Sequence, residues 1–196
     1  MKIILASKSD RRKQLLRLLN FNFTTISADI NESNYLKNVI SPEKFCSKLA
    51  SVKAHRISID HPNSIVIGGD TIVVINNEIL GKPKDKNNAF EMLTKLKDKK
   101  HAVLTGISIQ CKAKNISHTF YDKTVVTFNN YSDEEIYYYI NNFHPFDKAG
   151  SYGIQDWSSI FVKKIDGCFY NVVGFPISKF YTNFKELGLN KLIKTF

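Results

Sequence analysis

The sequence predicts an α/β protein, a mixed sheet flanked by helices, and three observations predict it. Short apolar runs of strand length alternate with segments whose apolar residues recur at helical spacing. Polar and glycine-containing stretches gather in the loops after strands, where open α/β sheets bind ligands. The 196 residues, with 43% hydrophobic content, are enough for a full core. One domain over residues 1–196 is the default at that length, and two lobes are compatible with it.

Taken in order, Ile3-Ile4-Leu5-Ala6 reads as a buried strand, and Leu15, Leu16, Leu18 and Leu19 form the apolar side of a helix beginning near Asp10 or Arg11. Ser41-Pro42-Glu43 is a helix start with Pro at the first helical position, and Phe45, Leu49 and Val52 follow at helical spacing. Ile65 to Gly69 is a short strand running into Asp70-Thr71. Ile72 to Ile75 and Glu78 to Leu80 then flank Asn76-Asn77, a two-residue hairpin turn. A helix over Asn88 to Lys97 is followed by strands His101 to Cys111 and Ser117 to Phe128, joined by a polar turn at Lys112 to Asn115. Ser132-Asp133-Glu134-Glu135 is a capping box opening a Tyr-rich helix. After the glycine-containing loop Asp147 to Gln155, an Asp166-Gly167 turn is expected to join strands Ile160 to Ile165 and Cys168 to Val173, before a last helix beyond Pro176.

The formal charge of +10 favours an anionic partner, whether nucleic acid, acidic membrane surface or phosphorylated metabolite. Lysine is spread along the whole chain, so the charge alone does not choose among them. The densest run, Lys95 to Lys100, falls at the end of a predicted helix, where cations suit the helix dipole without any ligand. Three well-separated cysteines without a C-x-x-C pair fit reduced thiols and a cytoplasmic location. The apolar run Ile3 to Ala6 is too short for a signal-peptide core, and no stretch has the length to span a bilayer. The histidines lack metal-binding spacing, and no Gly-x-Ser-x-Gly setting surrounds Ser7 or Ser9, which argues against a histidine-held zinc or a serine hydrolase.

The chemistry-bearing residues form several groups. In Ser7-Lys8-Ser9-Asp10-Arg11-Arg12-Lys13, hydroxyls and three successive cations sit at a strand-to-helix junction, where free backbone N–H groups attract anions. A phosphate cradle and a capped helix with a solvated basic first turn account for this stretch equally well. Gly68-Gly69-Asp70-Thr71 places a carboxylate after a buried strand, with glycines that let a ligand or another backbone come close. Asp70 suits a base, a metal ligand or a turn cap. Glu32 is a second carboxylate for a divalent ion, or a solvated loop acid. Lys82 stands between Gly81 and Pro83, which fix where its ammonium points, and Lys53 on the second helix is a further charge for the same purpose or a solvated helix lysine. Gln155 carries the donors and acceptor needed to pair with the edge of a nucleobase, or belongs to a loop ordered for its own sake.

Together these residues resemble the Maf-like nucleotide pyrophosphatases. The likeness runs in order from Leu5 to Pro176 through Leu5-Ala6-Ser7-x-Ser9-x-Arg11-Arg12, Glu32, Lys53-Ala54, Gly68-x-Asp70-Thr71, Gly81-Lys82-Pro83 and His101-x-Val103-x-Thr105-Gly106. It ends in Asp147-Lys148-Ala149-Gly150-x-Tyr152-Gly153-Ile154-Gln155 and Asn171-Val172-Val173-Gly174-Phe175-Pro176. The resemblance implies two lobes around a deep cleft, akin to inosine-triphosphate pyrophosphatases, and cleavage between the α and β phosphates with Mg²⁺ or Mn²⁺. By matching position, Asp70 accepts the proton of the attacking water, Glu32 assists through a metal held with Asp70, and Ser7, Arg11, Lys53 and Lys82 bind and polarise the phosphates. Arg12, Thr71 and Gln155 resemble the branch acting on dTTP and UTP, with modified pyrimidine nucleotides as further candidates. A nucleoside triphosphate is the implied partner, a homodimer is compatible, and neither a membrane nor nucleic acid is expected. The competing reading is a non-enzymatic nucleic-acid-binding or cell-division module, for which no helix-turn-helix, zinc-finger or RNA-recognition signature is present. Three positions depart from the family pattern: Asp10 for proline, His144 for glutamate and Asp156 for glycine.

Overall fold

The computed structural model describes residues 1–32, 35 and 41–192. In chain order the main elements are β1 (Ile3–Ala6), α1 (Asp10–Arg17), β2 (Phe23–Thr25), α2 (Pro42–Asp60), β3 (Ile65–Ile75), β4 (Glu78–Leu80) and α3 (Lys86–Leu96). They continue with β5 (Lys100–Cys111), β6 (Ile116–Phe128), α4 (Asp133–Phe143), β7 (Val162–Asp166), α5 (Phe169–Val173) and α6 (Ile177–Glu186). The strands hydrogen-bond in the order β2-β1-β3-β5-β6-β7, with β4 on β3. β1 is parallel to β2 and β3, while β4 and β7 run antiparallel to β3 and β6, so the sheet is mixed as the sequence predicts. No helix among the described residues is long and apolar enough to cross a membrane.

The chain divides into two compact units, the first comprising Met1–Asp70, Thr105–Asp122 and Gly174–Phe196. Two of its helices open on serine caps. The Ser9 hydroxyl accepts from Arg12 N to open α1, and the Ser41 hydroxyl accepts from Lys44 N to open α2, with Pro42 at the first position. α2 lies hard against the sheet because glycines face it. A Cβ on Gly68 would come within 2.3 Å of Ala50 O and 2.8 Å of Ala54 N, and one on Gly106 within 2.4 Å of Cys46 O. Ile4, Ala6, Ala54, Ile57 and Val66 fill the resulting core, each fully buried large side chain contributing about 1.5–3 kcal/mol. The aromatic rings of Phe180 and Phe184 on α6 pack against Phe21 in edge-on contacts.

The second unit comprises Thr71–Leu104 and Lys123–Val173. Asn76 and Asn77 both take positive φ, 48° and 64°, and turn β3 into β4 as a two-residue hairpin requires. α4 opens with the full capping box of Ser132 and Glu135. The core is aromatic, with Phe128, Tyr131, Tyr139, Tyr152 and Phe161 buried, and the rings of Phe128 and Tyr152 meet His101 edge-on.

One element differs from the expected hairpin. Residues 157–161 form a 3₁₀ turn, the strand begins only at Val162, and it pairs with β6 rather than with residues 168–173, which contain the helix α5. The reason is a distant hydroxyl. Thr124 Oγ1 accepts from Cys168 N at 3.0 Å and donates to Cys168 O at 3.1 Å, and Asn171 Nδ2 donates to Val103 O at 3.0 Å, so the chain after Gly167 is held in a turn.

Candidate active site

In the first unit the parallel register of β1 and β3 ends with Ala6 opposite Gly68. Ser7 follows that last pair on one strand as Gly69 and Asp70 follow it on the other. Ser7 Oγ accepts from Ser9 N at 3.1 Å and from Arg12 Nη1 at 3.4 Å, so the loop between β1 and α1 is folded onto its own side chains. Arg12 turns back from the first turn of α1 and its Nε donates to Gly174 O at 2.9 Å. Gly69 makes room for this, since a Cβ there would lie 3.1 Å from Arg12 Nε and 3.3 Å from Cδ. The glycines that the sequence marks as a place of close approach thus admit α2 at Gly68 and an arginine side chain at Gly69.

Lys53 completes the arrangement from α2. Its ammonium donates to Asp70 Oδ1 at 2.6 Å and to Glu32 Oε1 at 2.7 Å. The side chains of Lys53 and Asp70 are only 13% and 9% exposed, against 47% for Glu32, so the Lys53–Asp70 pair is the buried half of the bridge. Stranding one member of such a pair costs about 3–5 kcal/mol. Burial drives the Asp70 carboxyl above its usual range, Lys53 and Arg12 pull it back, and Glu32 adds to the rise. Enclosure likewise lowers the Arg12 guanidinium pKa, opposed by Asp70. The neighbouring Cys46 thiol is pushed up to about 12, by burial first and by the charge of Asp70 second; it is an inert packing group.

Chemically, this is a buried carboxylate on a strand, a group able to accept a proton, held by a cation that also reaches a more exposed carboxylate. Hydroxyls and a guanidinium lie at the adjoining helix start. Among the described residues no group of three or more His, Cys, Asp or Glu is assembled to hold a metal ion. Glu32 and Asp70 nevertheless turn oxygens to one common cation, and one or two carboxylates with substrate phosphate oxygens is the set that Mg²⁺ takes.

Of the predicted site residues, Ser7, Arg11, Arg12, Glu32, Lys53 and Asp70 belong to the first unit, and Thr71, Lys82 and Gln155 to the second. Thr71 is half-buried in β3. Lys82 is exposed between buried Pro83 and Gly81, whose carbonyl accepts from Gly150 N at 3.0 Å and so ties the Lys82 loop to the 3₁₀ turn at 149–151. Gln155 is exposed in a turn closed by Asp156 N donating to Gly153 O at 3.0 Å. His144 ends α4 with a positive φ of 46° and is exposed. Asp10 is the first residue of α1 rather than its cap, a role that falls to Ser9.

Sequence reasoning missed the Gly174 carbonyl as the anchor of Arg12, and the surroundings of Asp156. The first signal is the Gly174-Phe175-Pro176 segment itself. The second has no signal in the order of residues, because Tyr139, which donates to Asp156, is 17 positions away.

A family model described as "Maf-like protein" matches residues 2–187 of the chain. Among its relatives, the dTTP/UTP pyrophosphatase of Thermosipho africanus is 46% identical over 189 residues, covering 96% of this chain and 95% of that protein. That of Thermosipho melanesiensis is 48% identical over 181 residues, covering 92% and 95%. The dTTP/UTP pyrophosphatase of Bacillus velezensis is 43% identical over 188 residues, covering 96% and 97%. Among solved structures, the Ham1 protein of Staphylococcus aureus superposes with a TM-score of 0.45 at 16% identity, over 65% of this chain and 72% of that one.

Proposed function

The chain belongs to the Maf-like protein family, and from that premise we propose that it is a nucleoside triphosphate pyrophosphatase. It hydrolyses dTTP and UTP to the monophosphate and pyrophosphate. The observation that carries the proposal is the Lys53 ammonium held between Asp70 and Glu32 at 2.6 and 2.7 Å, in a chain whose relatives of nearly the same length bear that activity in their names.

Asp70 accepts the proton of the attacking water. The new bond forms from the water oxygen to phosphorus, the bond to the oxygen bridging the α and β phosphates breaks, and its electron pair leaves with the departing fragment. Lys53 keeps the Asp70 carboxylate charged and aimed, and hands positive charge toward the phosphates. Ser7 and Arg11 at the start of α1, with Lys82, bind the phosphate oxygens; Arg12, Thr71 and Gln155 select the base. A divalent ion, Mg²⁺ or Mn²⁺, held by Glu32 and Asp70 would neutralise phosphate charge. The activity belongs to the cytoplasm, where buried free Cys46 and Cys111 stay reduced.

Product analysis tests this. Wild-type protein with Mg²⁺ or Mn²⁺ should release pyrophosphate from dTTP and UTP, and Asp70→Asn should lose turnover while keeping its fold. Release of orthophosphate alone, or full activity in Asp70→Asn, contradicts the mechanism.

A further inference from the structure

The loop that carries Gln155 is fixed by side chains that the proposed reaction does not use. Residues 153–156 form a tight turn, with Asp156 N donating to Gly153 O at 3.0 Å and Gln155 exposed at its tip. On either side the chain is anchored by buried residues, Ile154 at 7% exposure and Ser158 at 0%. Asp156 holds the turn from within. Its Oδ1 accepts from Ser158 N at 3.0 Å and lies 2.9 Å from Ser158 Oγ, while its Oδ2 accepts from Tyr139 Oη at 3.1 Å.

Tyr139 and Ser158 also grip the other end of the turn. Gly153 N donates to Tyr139 Oη and to Ser158 Oγ, each at 3.2 Å, and Ser158 Oγ lies 2.9 Å from Gly153 O. The serine has one proton to give, so Gly153 O and Asp156 Oδ1 share it. Burial pushes the Tyr139 phenol well above its ordinary value, which keeps it protonated and donating. Lys148 Nζ stands 3.8 Å from Asp156 Oδ2 and 2.8 Å from Asp147 Oδ1. The packing leaves no slack: a Cβ on Gly153 would fall 2.6 Å from Lys148 Cε and 2.8 Å from Asp156 Oδ2.

We propose that Asp156 is a positioning residue for base recognition: with Tyr139 and Ser158 it locks the turn at residues 153–156 and thereby fixes where Gln155 presents its amide. The inference rests on the reading of Gln155 as the base-selecting residue. A side-chain amide discriminates by geometry, because its donor and acceptor must meet the acceptor and donor of the base edge at hydrogen-bond distance. A turn free to pivot presents the same groups to several base edges.

The test is the ratio of kcat/KM for UTP over CTP, measured with Mg²⁺ or Mn²⁺ for the wild type and for Gln155→Ala, Asp156→Asn, Tyr139→Phe, Ser158→Ala and Ser158→Thr. Gln155→Ala should lower the ratio by about tenfold or more. Asp156→Asn, Tyr139→Phe and Ser158→Ala should each lower it several-fold through KM, with kcat on UTP kept within about twofold, and Ser158→Thr should restore it. Tyr139→Phe removes one oxygen from a retained ring and decides the matter if Asp156→Asn does not fold. If Gln155→Ala lowers the ratio while Tyr139→Phe and Asp156→Asn leave it intact, or if they depress kcat equally on both nucleotides, the positioning role is wrong and the Gln155 reading stands. If the wild type releases no pyrophosphate, or Gln155→Ala leaves the ratio unchanged, the Gln155 reading falls and this inference with it.

Discussion

The bridge at Asp70 and the turn at Gln155 are built in different proportions from charge and hydrogen bonds. In the first unit, Lys53 joins two carboxylates through charge, and the buried pair is 13% and 9% exposed. In the second, Asp156 is held mainly by a phenol, a serine hydroxyl and backbone groups, with the Lys148 ammonium farther off at 3.8 Å. Charge in a low-dielectric setting acts strongly on a reacting group but tolerates some looseness of position, whereas a network of hydrogen bonds demands geometry at every partner. Under the proposed function, rate would depend on the first region and discrimination on the second, and variants can break that division.

The largest effect is expected at Asp70. Asp70→Asn keeps the volume and removes the proton acceptor, so kcat should fall by about 10²–10⁴ with circular dichroism unchanged. Lys53→Ala leaves Asp70 buried beside an absent partner, and urea unfolding at pH 7 should register about 3–5 kcal/mol of lost stability in addition to lost turnover. If Lys53→Ala altered base preference and not rate, the division of labour would fail.

His101 gives the second region an acid limit. It is 3% exposed, its Nε2 meets Tyr152 Oη at 2.8 Å, its Nδ1 has no hydrogen-bond partner among the described residues, and burial lowers its pKa from 6.5 to about 4. Between those values the unfolded chain binds the proton that the folded protein refuses, so stability falls as pH drops from 6.5 toward 4. The loss is about 3 kcal/mol at most. Unfolding curves at pH 7, 5.5 and 4.5 should show this slope in the wild type and a flatter one in His101→Phe. Smallest is Gly68→Ala, whose Cβ would press on the α2 backbone at Ala50 O. A cost of about 1–3 kcal/mol is expected from thermal denaturation, with activity reduced because α2 carries Lys53.

What could be read from residue order follows from the range of the interactions. The Asn76-Asn77 turn, the Ser41-Pro42 helix start and the Ser132 to Glu135 capping box are settled within a few residues, and the structure has each of them. Gly68 was legible as a place of close approach but not as the seat of α2. The region after Asp166 departs from its local signal: an Asp-Gly turn between apolar runs indicates a hairpin by local rules, while Thr124, 44 residues from Cys168, holds the chain as a turn and helix. Asp156 is the same lesson at the candidate site. Its bond to Ser158 is local, but the bond from Tyr139 crosses 17 residues and exists only once α4 has folded.

The most direct test of the central claim is ³¹P NMR of UTP incubated with the wild-type protein and Mg²⁺, alongside Asp70→Asn. Pyrophosphate and UMP should accumulate together in the first sample, and UTP should persist in the second. UDP with orthophosphate, or equal conversion by both proteins, would contradict the account.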